Sequence, residues 1–363
     1  MSAGTGPSAA PVVAPVVDVV IPAFDEEAHI GGCLDRVFAQ DYPADRLRVW
    51  VVDAGSSDRT VDVVRARPEP GLTVLAGHGR LNAGQAINVG VEAGCGELVA
   101  RVDAHTYLAP DYLSRAVALM AELGPRVALV GGQPTQVGET RFGEAVARAR
   151  RSPVGVGSGS IYAEQRSRAY VDTVQGGVYR RAALEAVGGF GTTFRTGEDE
   201  ECNWRLRRAG YDVLLDVRLE FSYTTRSSWR ALFRQHRNYG ISRACVVARH
   251  PAYLRPRHLA PSALVLTVGG LAALAGAGTA AGRSRSARRA RRALGATLAA
   301  YGTGMLAAGA VAAGDDRTLA PRVAAAFTAM HLGYGIGLMT GAASLTARRL
   351  GLATSPGAPV VSR

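Results

Sequence analysis

No lysine occurs anywhere in the 363 residues, so all 42 cationic side chains behind the net charge of +12 are arginine. Arginine grips phosphates and carboxylates through paired hydrogen bonds and stays charged at every working pH. A basic balance of this kind serves nucleic acid, anionic lipid or a phosphorylated substrate. Aromatic residues make up only 6% of the chain, and no zinc-finger or RNP pattern interleaves them with the arginines, which argues against nucleic acid. Cysteine is scarce too: Cys33, Cys95, Cys202 and Cys245 stand far apart, with no C-x-x-C spacing. That argues against a cysteine zinc site or a disulfide framework and fits reduced thiols in a cytosolic setting. The G-x-G-x-x-G fingerprint is missing from the turn after the first expected strand, so NAD is not the expected ligand. Met1 to Val16 has no basic n-region and reads as a flexible lead-in, not a signal peptide.

What the chain does have is acid at the ends of strands. Val16-Val17-Asp18-Val19-Val20-Ile21-Pro22 reads as a buried first strand, followed by Ala23-Phe24-Asp25-Glu26-Glu27 and a helix through Ile30, Leu34 and Val37. A second strand, Leu47 to Val52, ends in Asp53-Ala54-Gly55-Ser56-Ser57-Asp58. Two such units place their acids at the carboxyl edge of a parallel sheet, where ligands of open α/β folds bind. Asp58 reads as a helix cap, while Asp53 stands between a cap and an acceptor for the N3–H of uracil. After a third strand at Leu72 to Leu75, Arg80 and Asn88 flank a helix start, either packing locally or meeting phosphate and nucleotide.

The centre of the chain is Arg101-Val102-Asp103-Ala104-His105. On an extended strand end, residues two apart point the same way, so Asp103 and His105 present an oxygen and a nitrogen to one Mn²⁺ or Mg²⁺. Arg141 to Arg168, with Gly155-Val156-Gly157-Ser158-Gly159, reads as a flexible segment near the site. Gly188-Gly189-Phe190 ends a short helix, and Glu198-Asp199-Glu200-Glu201 opens another. Four acids suit a helix N-terminus electrostatically; one of them is also placed to act as general base on a hydroxyl.

Trp229 to Ala248 is arginine-rich and amphipathic, fit to lie on a membrane or over the sheet. Beyond Pro261, Leu259–Ala281, Ala293–Ala313 and Val323–Ala347 are nearly uncharged and long enough to cross a bilayer. The arginine run from Arg283 to Arg292 then belongs on the cytoplasmic side. A cytoplasmic catalytic part and a spanning first segment would put that run outside, so either the first segment is re-entrant or interfacial, the favoured reading, or the positive-inside rule is broken here.

Taken in order, Ile21-Pro22-Ala23-Phe24-Asp25-Glu26-Glu27, Val52-Asp53-Ala54-Gly55-Ser56-Ser57-Asp58, Arg101-Val102-Asp103-Ala104-His105, Gly188-Gly189-Phe190 and Glu198-Asp199 resemble the family 2, GT-A-type glycosyltransferases. The likeness covers about Val16 to Arg243 and is strongest to the ExoA-like succinoglycan biosynthesis branch. It implies an α/β fold with a Rossmann-like, mostly parallel sheet followed by C-terminal membrane helices. It implies residues 1–15 as lead-in, 16–225 as catalytic domain, 226–258 as interfacial segment, 259–349 as two or three membrane helices and 350–363 as tail. The implied reaction is inverting transfer from a nucleotide-sugar, UDP-linked, to a hydroxyl of a polyprenyl-diphosphate-linked glycan at the cytoplasmic face of the cell (inner) membrane, in exopolysaccharide or cell-surface glycan synthesis.

Residue by residue, the resemblance makes Asp53 the uracil ligand, with Pro22, Ala23 and Glu26 shaping the nucleotide pocket and Arg80, Asn88 and Asp103 completing it. Asp103 and His105 become the ligands of a divalent ion (Mn²⁺ or Mg²⁺), His105 standing where the family's D-x-D has its last acid. Asp199, beside Glu198, becomes the catalytic base. Trp204, Gln235 and Arg237 are the candidates for acceptor or diphosphate; Gln235-His236-Arg237-Asn238-Tyr239 only partly echoes the Q-x-x-R-W of processive synthases. Two alternatives are a polyprenyl-phosphate glycosyltransferase, identified by one phosphate between sugar and lipid, and a membrane scaffold that binds sugar nucleotide without turnover. Nucleic-acid binding ranks last.

Overall fold

The computed structural model describes residues 14–156, 168–193, 196–280 and 285–352. Most of the lead-in and tail, and Gly157-Ser158-Gly159 of the glycine run, lie outside the described residues. Strand and helix alternate at first: β1 (Val17–Ala23), α1 (Ile30–Phe38), β2 (Leu47–Asp53), α2 (Thr60–Arg65), β3 (Leu72–Leu75), α3 (Ala83–Ala93), β4 (Leu98–Arg101), β5 (Thr106–Leu108) and α4 (Tyr112–Leu123). There follow β6 (Val127–Gly131), β7 (Pro134–Val137), α5 (Arg141–Arg151), α6 (Pro153–Val156), β8 (Ala169–Tyr170), β9 (Gly177–Arg180), α7 (Arg181–Ala186), α8 (Glu198–Arg208), β10 (Asp212–Leu215) and β11 (Phe221–Thr224). The chain continues as α9 (Trp229–Arg249), α10 (Pro256–Ala280), α11 (Arg285–Ala312) and α12 (Ala320–Arg349).

The main sheet has the order β3-β2-β1-β4-β9-β6-β10-β8. β9 runs antiparallel to both β4 and β6, β8 antiparallel to β10, and every other pairing is parallel. A β-branched run such as β1 suits its centre because both faces are covered: Val19 pairs between Val49 and Ala100, and all three are buried. One face packs against Ile30 and Leu34 of α1 and Leu113 and Met120 of α4. The other packs against Ile87 of α3, Leu184 of α7 and Cys202 and Leu206 of α8. A smaller sheet, β5-β11-β7, stands beside the main one.

The third core explains how the C-terminal helices attach. Ala145 and Val146 of α5, Leu232 of α9, and Val323, Phe327 and Met330 of α12 bury one another. The first part of the expected flexible segment, Arg141 to Arg168, is instead a helix from Arg141 to Arg151 ordered by its apolar stripe, and residues 157–167 lie outside the described residues. The expected arginine loop is likewise the first turns of α11 from Arg285 onward. Among the described residues, three helices are long and apolar enough to cross a membrane: Pro256–Ala277, Arg285–Ala312 and Arg317–Arg349. Within their most apolar windows, 11% and 6% of the first two are buried inside the protein against 56% of the third. α12 thus belongs to the body of the fold, while α10 and α11 turn apolar side chains outward.

Candidate active site

The turns after β1 and β2 build the first wall. The backbone N–H of Asp25 donates to Ser56 Oγ at 3.0 Å, that of Glu26 to Thr60 Oγ1 at 2.8 Å, and that of Ser57 to Asp25 Oδ1 at 2.8 Å. These cross-links hold Asp25 in a left-handed conformation, φ 54°, which aspartate tolerates better than most non-glycine residues. They also set Pro22, Ala23 and Glu26 along the rim of a cleft of about 1680 Å³. The cleft runs from Pro22 past Asp103 and Asp199 to Gln235 and Arg243 of α9, and on to Met330, His331 and Tyr334 of α12.

Strand alternation does not place Asp103 and His105, because β4 stops at Arg101 and a turn follows, closed by the Thr106 N–H on the Asp103 carbonyl at 2.9 Å. Both residues still line the same cleft. His105 Nδ1 meets Glu26 Oε1 at 3.0 Å, and its Nε2 is buried with no hydrogen-bond partner. Burial opposes the imidazolium, but the bond to Glu26 and the neighbouring Tyr223 and Asp103 outweigh it and raise the group to about 10. Burial also opposes charge on Asp103; Arg101 and His105 overcome it and hold the carboxyl below its usual range. Among the described residues no group of three or more His, Cys, Asp or Glu is arranged to hold an ion.

Arg101, unassigned in the sequence reading, sits among three carboxylates. Its Nη2 meets Glu198 Oε1 at 2.8 Å and Asp103 Oδ1 at 3.2 Å, and its Nη1 lies 3.5 Å from Asp199 Oδ2. The other acids of α8 are also engaged: Glu200 with Arg243 at 2.6 Å, and Glu201 with Arg205 at 2.8 Å and His250 at 2.9 Å. Asp199 has the loosest pairing of the four and lines the cleft. Burial pushes its carboxyl up to about 7; Arg101 opposes that shift, and Glu198 and Glu200 add to it. A carboxylate poised there is suited to take a proton near neutral pH. Glu198, expected beside it as a catalytic group, is 4% exposed and is held as the counter-ion of Arg101.

Three other expectations meet a different outcome. Asn88 does not reach the cleft: its side chain donates to the Phe190 carbonyl and accepts from the Phe190 N–H, both at 2.9 Å, strapping the Gly188–Phe190 turn. Trp204 faces away, its ring 4.3 Å from that of His250 and 6.4 Å from that of Tyr253. Arg237 is exposed and does not line the cleft, its backbone packing against Gly333 and Gly337 of α12. The arginines of α9 that do line it are Arg234 and Arg243. Asp53 sits behind the wall formed by Ala54, accepting from the N–H groups of Gly55 and Ser56 at 3.3 and 3.0 Å. Arg80 lines the cleft with its guanidinium 4.8 Å from the Phe24 ring centre, and Gln235 lines it while accepting from Arg150 at 2.8 Å.

The glycosyl transferase family 2 model matches residues 18–188, from β1 through α7, and stops before α8 and β10. Residues 18–188 are thus similar to a glycosyl transferase family 2 domain, and the relatives below, named as glycosyltransferases or for glycan synthesis, mark the chain as a glycosyltransferase. It is 27% identical over 241 residues (64% of this chain, 74% of the relative) to a dolichyl N-acetyl-α-D-glucosaminyl phosphate 3-β-D-2,3-diacetamido-2,3-dideoxy-β-D-glucuronosyltransferase of Methanococcus voltae. It is 29% identical over 249 residues (68% of this chain, 74% of the relative) to the succinoglycan biosynthesis protein ExoA of Rhizobium meliloti. Its fold matches that of the mannosyltransferase PcManGT of Pyrobaculum calidifontis, solved with GDP-mannose and Mn²⁺, with a TM-score of 0.56 at 24% identity, covering 89% of this chain and 88% of that one. The GT-A fold expected from the motifs is thus the fold observed.

Proposed function

We propose that this glycosyltransferase moves a sugar from a UDP-sugar to a hydroxyl of a polyprenyl-diphosphate-linked glycan, inverting the anomeric configuration, at the inner face of the cell membrane. The observation that carries the proposal is Asp199: of four consecutive acids it alone faces the cleft without a close ion pair, and burial raises its basicity. Pro22, Ala23, Glu26 and Arg80 hold the nucleotide end, and Asp199 takes the proton of the acceptor hydroxyl as that oxygen attacks the anomeric carbon from the opposite face. Arg234, Gln235 and Arg243 line the acceptor end, where the cleft reaches α12. Residues 16–225 then form the catalytic part, 226–258 an interfacial segment and 259–349 the membrane part. A relative named for a dolichyl-linked sugar phosphate supports a lipid-linked acceptor, and one named for succinoglycan biosynthesis supports a role in glycan synthesis.

A divalent ion fits the donor set once it displaces the His105 proton, because the buried, unpartnered Nε2 of His105 and the carboxylate of Asp103 line the same cleft. His105 and Asp103 would hold it, with diphosphate oxygens and water as the remaining ligands. When bound, such an ion neutralises charge on the departing nucleoside diphosphate. Glu26 fixes the His105 ring through Nδ1 and so aims Nε2.

The test is UDP or GDP release from UDP-glucose, UDP-galactose, UDP-N-acetylglucosamine and GDP-mannose, in vesicles carrying undecaprenyl-diphosphate-linked glucose. Transfer from a UDP-sugar with an inverted linkage, lost in Asp199→Asn while UDP still binds, is the expected result. Full turnover by Asp199→Asn would overturn the assignment.

A further inference from the structure

We infer that Ser242 and Arg243 of α9 are positioning residues for Asp199, clamping its turn on both sides and tying it to the membrane-length helix α12. The inference rests on the reading of Asp199 as the base. On the near side of that turn, Ser242 Oγ lies 2.8 Å from Thr196 Oγ1 and accepts from the Thr196 N–H at 3.3 Å. On the far side, Arg243 Nη2 meets Glu200 Oε2 at 2.6 Å, and Tyr253 donates to the same oxygen at 3.1 Å. Between these holds the backbone turns through Gly197 at φ 80°, a left-handed conformation that glycine adopts without steric cost. The Arg243 guanidinium is 4.8 Å from the Tyr253 ring centre and its side chain is 14% exposed, so it is fixed from two directions.

α9 is itself immobilised. A Cβ at Gly240 would collide with the Tyr334 carbonyl, one at Gly337 with the Arg237 carbonyl, and one at Gly341 with Ala244, so α9 and α12 touch backbone to backbone. Close contact through small residues is how membrane helices associate firmly. The position of α12 is therefore passed through α9 to both ends of the catalytic turn. The groups facing Asp199 are Arg101 from β4, Tyr179 from β9, and Glu198, Glu200 and Cys202 from its own helix. Arg243 neutralises the nearest of them that it can reach, Glu200.

Arg243→Gln, Ser242→Ala and Gly337→Leu are compared in vesicles, using whichever donor of the panel above turns over fastest. The expected result for each is a kcat lower by about 100-fold, the scale of a misplacement near 1 Å, with UDP affinity and donor KM unchanged. Arg243→Gln also moves the pH–rate profile to higher pH, because Glu200 is left uncompensated beside Asp199, and Arg243→Lys restores most of the rate. Wild-type kcat and pH profile in both Arg243→Gln and Ser242→Ala, or a loss of rate no larger than the loss of folded protein, would overturn the clamp. Wild-type kinetics in Gly337→Leu would overturn its link to α12. If Asp199→Asn turns over fully, the functional reading has failed, and the clamp with it.

Discussion

The Arg101 guanidinium grips Glu198 at 2.8 Å and stands off Asp199 at 3.5 Å. Two adjacent acids on one helix start are thereby separated, one a buried counter-ion and the other the proposed base. Glu198→Gln should leave Arg101 without its closest charge partner and cost about 3 kcal/mol of stability, read by chemical or thermal unfolding. Asp199→Asn should leave unfolding nearly unchanged and lower turnover by roughly 100- to 10,000-fold.

The base is active when ionised, and burial raises its carboxyl to about 7. The rate should therefore rise as pH climbs through 7 and level off above it, the protonated form on the acid side being unable to accept the acceptor's proton. A profile of kcat/KM from pH 5 to 9 measures this directly. A flat profile across that span would mean another group does the work.

Nucleotide binding should depend on the ion that Asp103 and His105 are placed to hold. EDTA is expected to weaken UDP binding to the wild type, while Asp103→Ala and His105→Ala should bind weakly with or without Mn²⁺. Glu26→Gln, which loosens the aim of His105, should weaken Mn²⁺ binding by roughly 10- to 100-fold. Titration calorimetry with Mn²⁺ and UDP separates the three.

Asn88→Leu removes both hydrogen bonds to Phe190. It should cost about 1–3 kcal/mol of stability, since the Phe190 backbone groups lose their partners, and leave UDP affinity where it was. An affinity loss with stability intact would restore the nucleotide role expected from the sequence.

The sheet and the acid-edged turns were legible because buried β-branched runs and their terminal acids are local patterns. That Asp103, His105 and Asp199 line one cleft was legible for the same reason, each lying in a short motif. What escaped was decided by partners far along the chain. Nothing near Asn88 announces Phe190, 102 residues on, and nothing beside Trp204 announces His250. Arg101 stood inside a quoted motif, but its role depends on Glu198, 97 residues away. Arg141 to Arg151 looked unstructured because its arginines drew attention from the Ala145, Val146 and Ala149 stripe that seats it on α12. Arg237 was favoured over Arg243 by its place in a partial motif, whereas the rotation of α9 on α12 turns Arg243 inward.

Met330, His331 and Tyr334 give α12 a share in the wall of the reaction chamber, and Phe327 gives it a share in the core beneath. A water-soluble fragment cut before Pro256 would lose that wall and expose Leu232 and Val146 where the helix had covered them. The hydrophobic end of this enzyme is not a tether that can be trimmed or exchanged. Any measurement of its chemistry must keep that helix seated on α5 and α9.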